Sequence, residues 1–165
     1  MKRLIKKVLK EQISCSLEWP KNLKYWGKGS GWRKGIITTI NKSLKDVYGD
    51  MSFEDYYVNL REHFFSIGLD YYQSNIEGDL INKMQEVDDS YDYIILNAGG
   101  YSHTSVSIAD CIEAIHVPVI EVHISNIYSR EEFRQKSLLS PYCLGAIVGL
   151  GLNGYKLALE HIINK

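Results

Sequence analysis

Two histidines in this chain, His103 and His123, each follow an apolar run and stand among groups that hydrogen-bond. Ile94-Ile95-Leu96 runs into Asn97-Ala98-Gly99-Gly100-Tyr101-Ser102-His103-Thr104-Ser105, and Val117-Pro118-Val119-Ile120 runs into Glu121-Val122-His123-Ile124-Ser125-Asn126. Imidazole carries and accepts protons near neutral pH, so two of them at matching strand ends favour acid-base chemistry over two isolated structural roles. Glu121 and His123 are two residues apart on an expected strand and so share one side of it. A carboxylate there fixes the imidazole tautomer, as in acid-base pairs generally; alternatively Glu121 satisfies a buried backbone group. Arg130 and Arg134, at i and i+4 on an expected short charged helix over 130–136, either form surface ion pairs or hold an anion or hydroxyl. His63, His116 and His161 are expected as surface or core filler. Gly149-Leu-Gly-Leu-Asn-Gly154 matches a dinucleotide fingerprint, but that motif expects an acidic residue roughly 20 positions on, beyond Lys165. Its glycines are expected to serve a tight turn and close helix packing.

Alternating strands and helices must carry these groups. Gly35 to Ile40 is β-branched enough for a strand, and 42–49 reads as a loop. Ser52 caps a helix expected to bury Phe53, Tyr56, Leu60, Phe64 and Ile67 and to stop at Gly68. A strand over 69–73 and a helix over 79–86 follow. Thr104 or Ser105 caps a helix with Val106, Ile108, Ala109, Ile112 and Ile115; Pro118 opens another strand. Residues 144–148 form a last buried strand and 155–163 a closing helix. This alternation predicts a parallel sheet covered on both faces, and ligands of such sheets bind at the carboxyl ends of the strands.

The chain has 165 residues and a net charge of −1, enough for one good core. That charge is unevenly placed: residues 1–45 hold twelve Lys/Arg against two Asp/Glu, and the remainder holds seven against eighteen. Leu4, Ile5 and Val8 give residues 1–12 a basic amphipathic pattern, and Trp19, Trp26 and Trp32 lie among basic residues. Basic-aromatic interleaving can stack on nucleic acid, but no recognition motif accompanies it and nucleic acid is not the expected partner. Cys15, Cys111 and Cys143 lack the spacing of a disulfide framework or metal site, which fits a reducing cytoplasm and no bound metal. No run approaches the roughly 18 apolar residues a membrane span needs.

Longer strings carry more information. Tyr72-Tyr-Gln-Ser-Asn-Ile-Glu-Gly-Asp-Leu-Ile81, Leu96 to Val106, Ile120 to Asn126, Arg130-Glu-Glu-Phe-Arg134 and Gly149 to Leu159 resemble, in order and spacing, type II 3-dehydroquinate dehydratase. The resemblance runs from about Tyr48 to Lys165. It implies an α/β flavodoxin-like fold, a five-stranded parallel sheet with helices on both faces, and trimers assembled into a dodecamer. It also implies a cofactor-free anti elimination of water from 3-dehydroquinate through an enolate, in the shikimate pathway of aromatic amino acid biosynthesis. On that likeness Tyr48 is the base and His123 the acid, while Asn97 and Glu121 position the histidine and ordered groups. The backbone at Ile124 and the hydroxyl of Ser125 hold the substrate carboxylate, and Arg134 and His103 bind ring hydroxyls. Asp110 matches an aspartate contributed by a neighbouring subunit.

The first quarter departs from the family pattern. Asn-Gly-Pro-Asn, with which the family's first strand ends, occurs nowhere here, and Ser43 stands where the family's lid has an arginine. Lys42 or Lys45 would have to supply the cation that a basic tyrosine needs, as point charges rather than a planar guanidinium. Residues 1–34 are therefore expected as an atypical basic segment and 35–165 as the dehydratase domain, with the first strand the least constrained element. The competing expectation is a catalytically impaired homologue that keeps the scaffold and binds a ligand or partner.

Overall fold

The computed structural model describes residues 33–39 and 52–165, which fall within one compact unit spanning Trp32–Lys165. The basic amphipathic stretch over 1–12, the tryptophans, Ile40, the 42–49 loop, Ser43 and Tyr48 lie outside the described residues.

Five short strands pair side by side: β1 (Arg33–Thr39), β2 (Ile67–Gln73), β3 (Tyr93–Asn97), β4 (Val119–His123) and β5 (Gly145–Val148). They form one parallel sheet in the order β2-β1-β3-β4-β5. The helices between them are α1 (Phe53–His63), α2 (Glu77–Val87), α3 (Val106–Ala114) and α4 (Asn153–Ile163). Alternation along each strand sorts the apolar residues into two layers. Ile36, Ile94, Leu96 and Val119 pack with Leu80 and Met84 of α2 and Ile108 and Ile112 of α3. Ile37, Leu69, Ile95, Ile120 and Val122 pack with Leu60 of α1 and Tyr155, Leu159 and Ile162 of α4. Both faces are thus covered, which is why β3 reads as a continuous apolar run.

Local chemistry sets the helix starts. Ser52 accepts the Asp55 N–H at 3.1 Å and Ser105 accepts the Ile108 N–H at 2.8 Å, each satisfying an amide that the first helical turn leaves free. Among the described residues, no helix is long and apolar enough to cross a membrane.

Three details differ from the sequence expectations. Helix α1 ends at His63, and Ile67 is the first residue of β2, paired with Arg33; Gly68 lies inside that strand. A residue that both the 3.6 and the 2 periodicity would bury does not reveal which element owns it. Residues 130–136 do not form one helix: a 3-10 turn at Glu132–Arg134 stands in its place, preceded by another at Ile127–Ser129. Seven residues seldom repay helix nucleation, and the Gln135 side chain takes the Arg130 carbonyl at 2.8 Å instead. Strand β5, expected as buried, is an edge strand whose Gly145 and Ala146 are exposed.

Gly154 lies where α4 crosses the sheet. A Cβ there would sit 3.1 Å from Val122 Cγ1 and 3.4 Å from Ile147 Cγ2. Overfilling a packed interface costs about 1–3 kcal/mol, so Gly154→Val is expected to lower the urea unfolding midpoint accordingly. An unchanged midpoint would remove the close packing of α4 as the reason for this glycine.

Candidate active site

Parallel strands in register end at one level. Thr39 of β1 pairs with Asn97 of β3, and His123 ends β4 opposite Val148 of β5. Order reverses between β1 and β3, where open α/β sheets form a crevice. Alternation then sends the polar termini to opposite layers. Asn97 donates to the buried Tyr155 hydroxyl at 2.8 Å and accepts the Gly99 N–H at 3.1 Å. Tyr155 also hydrogen-bonds with Thr39, and burial pushes its phenol up to about 12 against the opposing effect of these two bonds. Tyr155 therefore stays a neutral anchor holding the ends of β1 and β3 together.

Glu121 and His123 occupy the other layer. Glu121 is fully buried and His123 is 5% exposed. His123 Nε2 lies 2.8 Å from Glu121 Oε1, as their spacing on one strand predicts. The same carboxylate accepts the Ser137 hydroxyl at 2.8 Å and the Ser140 hydroxyl through its other oxygen. Burial alone would push the Glu121 carboxyl upward; the donors His123, Ser140 and Ser137 outweigh it and hold the carboxyl below its ordinary value. An ionised carboxylate only accepts, so His123 Nε2 carries its hydrogen and Nδ1 is the nitrogen not engaged by Glu121.

His103 is fixed in the opposite sense. Its Nδ1 lies 2.8 Å from the Lys136 carbonyl, which likewise only accepts, so Nδ1 donates and Nε2 is open. The two rings stack with centroids 5.9 Å apart and planes 26° apart. Next to them is a cleft of about 350 Å³ lined by His103, Arg134, Asn75, Tyr101, Thr104 and Phe133. The Arg134 guanidinium lies 5.1 Å from the Phe133 ring centre, and its Nε is 3.1 Å from the Glu131 carboxylate. Arg130 Nε reaches the same carboxylate at 3.7 Å. Glu131 thus binds both arginines at the surface, and Arg134 alone of the two also borders the cleft.

The loop after β4 carries Ile124, half-buried, and Ser125, exposed, whose hydroxyl has no hydrogen-bond partner among the described residues. Ile124 accepts the Gly151 N–H at 3.0 Å and His123 accepts the Gly149 N–H at 2.9 Å through their carbonyls. Gly149 has φ +84°, and a Cβ on it would lie 3.1 Å from Asn126 Cβ. The glycine pair of the fingerprint-like string thus braces the Ile124–Asn126 loop by a tight turn. Asp110 is exposed on α3 and does not line the cleft.

The structure therefore brings together Glu121, His123, His103 and Arg134, and sets Asn97 on Tyr155. Ser137, Ser140 and Tyr155 were given no role by sequence reasoning. A buried acid accepting from one histidine still has lone pairs to satisfy, which is the signal that nearby hydroxyls would be needed. Among the described residues, no group of three or more His, Cys, Asp or Glu is placed to hold a metal ion. A buried carboxylate-imidazole pair beside a second, oppositely oriented imidazole and an arginine is suited to moving a proton on a hydroxylated, anionic small molecule.

The sheet order is that of a flavodoxin-like α/β protein, with acid-base groups at its strand ends. The family described as class II dehydroquinase matches residues 37–163. A 3-dehydroquinate dehydratase of Campylobacter jejuni subsp. jejuni is 52% identical over 119 residues, 71% of this chain and 75% of that protein. One of Fusobacterium nucleatum subsp. nucleatum is 46% identical over 124 residues, 72% of this chain and 84% of its own. The crystal structure of type II dehydroquinase from Butyrivibrio crossotus superposes with a TM-score of 0.73 at 37% identity, covering 81% of this chain and 99% of that one. That of Propionibacterium acnes gives a TM-score of 0.75 at 29% identity, with 81% and 97% coverage. The chain belongs to the class II dehydroquinase family.

Proposed function

We propose that this protein dehydrates 3-dehydroquinate to 3-dehydroshikimate in the shikimate pathway, as a cofactor-free hydro-lyase. The observation that carries the reading is the buried Glu121–His123 pair, bonded at 2.8 Å beside the cleft of His103 and Arg134. Tyr48 takes the proton beside the ketone and the electron pair passes into an enolate. His123 then gives a proton to the departing hydroxyl as the C–O bond breaks, and water leaves. Because Nε2 is committed to Glu121, the transferred proton must come from Nδ1 of a doubly protonated ring, whose positive charge has the Glu121 carboxylate as counter-charge. After transfer, the neutral ring keeps its Nε2–H bond to Glu121 unchanged. That economy of motion suits an acid that must be ready at each turnover.

Glu121 orders His123, while Asn97, held on Tyr155 at the end of β3, orders groups around the enolate. The Ile124 backbone and the Ser125 hydroxyl receive the substrate carboxylate, while His103 and Arg134 bind ring hydroxyls. Asp110 acts across a subunit boundary in a homo-oligomer, a dodecamer made of four trimers, and its exposure on α3 suits that role. The first quarter of the chain is a basic segment distinct from the dehydratase domain, whose first strand begins at Arg33 rather than after residue 34, and the protein works in the cytoplasm without membrane or nucleic-acid partners.

Incubating the purified full chain with 3-dehydroquinate and following the absorbance of the conjugated product tests this directly. Product above the buffer rate is expected. Absence of turnover in protein that still binds substrate would overturn the catalytic reading and leave a ligand-binding homologue.

A further inference from the structure

The segment Lys136–Ser140 touches both histidines' supports at once. Its Lys136 carbonyl holds His103 Nδ1 at 2.8 Å. Its Leu138 N–H donates to the Ser102 carbonyl at 2.8 Å, tying the segment to the turn that carries His103. Its two serines donate one hydroxyl to each oxygen of Glu121. Ser137 Oγ in turn accepts the N–H groups of Leu139 at 3.0 Å and Ser140 at 3.2 Å. A hydroxyl with both lone pairs occupied has only its hydrogen left to give, and of the two acceptors in reach the Glu121 carboxylate at 2.8 Å is much nearer than the Ser102 carbonyl at 3.5 Å. Leu139 between the serines is fully buried and packs in the layer of α2 and α3. The strap is thus anchored by an apolar plug, and its polar atoms are aimed rather than free.

We infer that Ser137 and Ser140 are positioning residues: by filling both oxygens of Glu121 they keep it ionised in one rotamer, and so hold His123 with its Nε2–H on the carboxylate. The reasoning rests on the dehydratase reading only for its catalytic consequence; the tautomer is a property of the free protein. With both hydroxyls removed, a carboxylate in a dry site keeps one donor where it had three. Its carboxyl moves up toward the range burial favours, and the ring loses the fixed acceptor that selects its tautomer.

The test uses the full chain carrying Ser137→Ala, Ser140→Ala, both together, and Ser140→Thr, which retains a hydroxyl. Near-ultraviolet circular dichroism checks that each is folded. Solid-state NMR of protein labelled with 15N-histidine, with His123→Gln to assign the signal, reads the tautomer of His123. In alkaline buffer, where the ring is neutral, the unmodified protein is expected to show the single tautomer protonated at Nε2, and the double variant a mixture of tautomers. Hydrogen bonds to charged groups are strong enough that each alanine should lower kcat about tenfold or more, with KM within about twofold because neither serine lines the cleft. Ser140→Thr should restore most of the Ser140→Ala loss. A folded double variant with an unchanged His123 signal and unchanged kcat overturns the inference, as does a loss confined to KM. Should the double variant fail to fold, the single alanines and Ser140→Thr decide the matter by the same readouts. Should the unmodified protein turn over no 3-dehydroquinate, the functional reading falls and the tautomer measurement still decides the role of the strap.

Discussion

His123→Ala is expected to reduce kcat by about 10²–10⁴-fold, the usual contribution of a positioned general acid, while KM stays within a few-fold. The ring is nearly buried and its removal leaves Glu121 with both serine hydroxyls, so the carboxylate is not stranded. The unfolding midpoint should therefore fall only modestly. The measurement is steady-state kinetics with 3-dehydroquinate alongside urea unfolding of the same preparation. A rate close to that of the unmodified protein would take His123 out of the mechanism, whatever its geometry.

Glu121→Ala is expected to damage both stability and rate. Deleting one member of a buried, hydrogen-bonded charge arrangement costs about 3–5 kcal/mol, because the Ser137 and Ser140 hydroxyls and His123 Nε2 lose their shared acceptor in a site closed to water. Glu121→Gln separates shape from charge. The Glu121 carboxyl is held below its unfolded value near 4.5, so its contribution to stability is present above that pH and is lost as pH falls through the lower folded value. The difference in unfolding midpoint between Glu121→Gln and the unmodified protein should then be largest near neutrality and close in acid. A difference that is constant with pH would mean that the carboxylate's charge adds nothing and only its shape counts.

Much of this arrangement was legible from single-strand periodicity. Glu121 and His123 fall on one side because strand side chains alternate, and nothing in the tertiary structure disturbs that. The cap Ser52 was equally plain, since a small hydroxyl before an apolar-periodic run has a local job, whereas Thr104 and Ser105 were both candidates for α3 and the structure selects Ser105. The family strings then pointed to a five-stranded flavodoxin-like sheet, which periodicity alone leaves open. What stayed hidden depends on residues distant in the chain. Ser137 and Ser140 reach Glu121 from 16 and 19 positions away, and no local pattern links a serine to an acid at that separation. Tyr155 meets Asn97 across 58 positions; in sequence it is one more aromatic on the apolar face of α4. Ile67 was misplaced because both periods bury it, and only its pairing with Arg33 assigns it to β2. The 127–136 stretch broke into turns because side-chain bonds to nearby backbone competed with helix hydrogen bonds.

The place of β1 in the sheet has a consequence for how the molecule comes apart. Among the described strands it alone joins β2 to the β3-β4-β5 block, pairing with β2 over Arg33–Thr39 and with β3 over Gly35–Thr39. Peeling an outer strand leaves four in contact, whereas withdrawing β1 strands β2 alone and uncovers Ile36 and Ile37 in both core layers. Local opening at this strand is thus nearly equivalent to global unfolding. The amides of Ile36 and Ile37 belong among the last to exchange with solvent, and those of edge strand β5 among the first of the sheet.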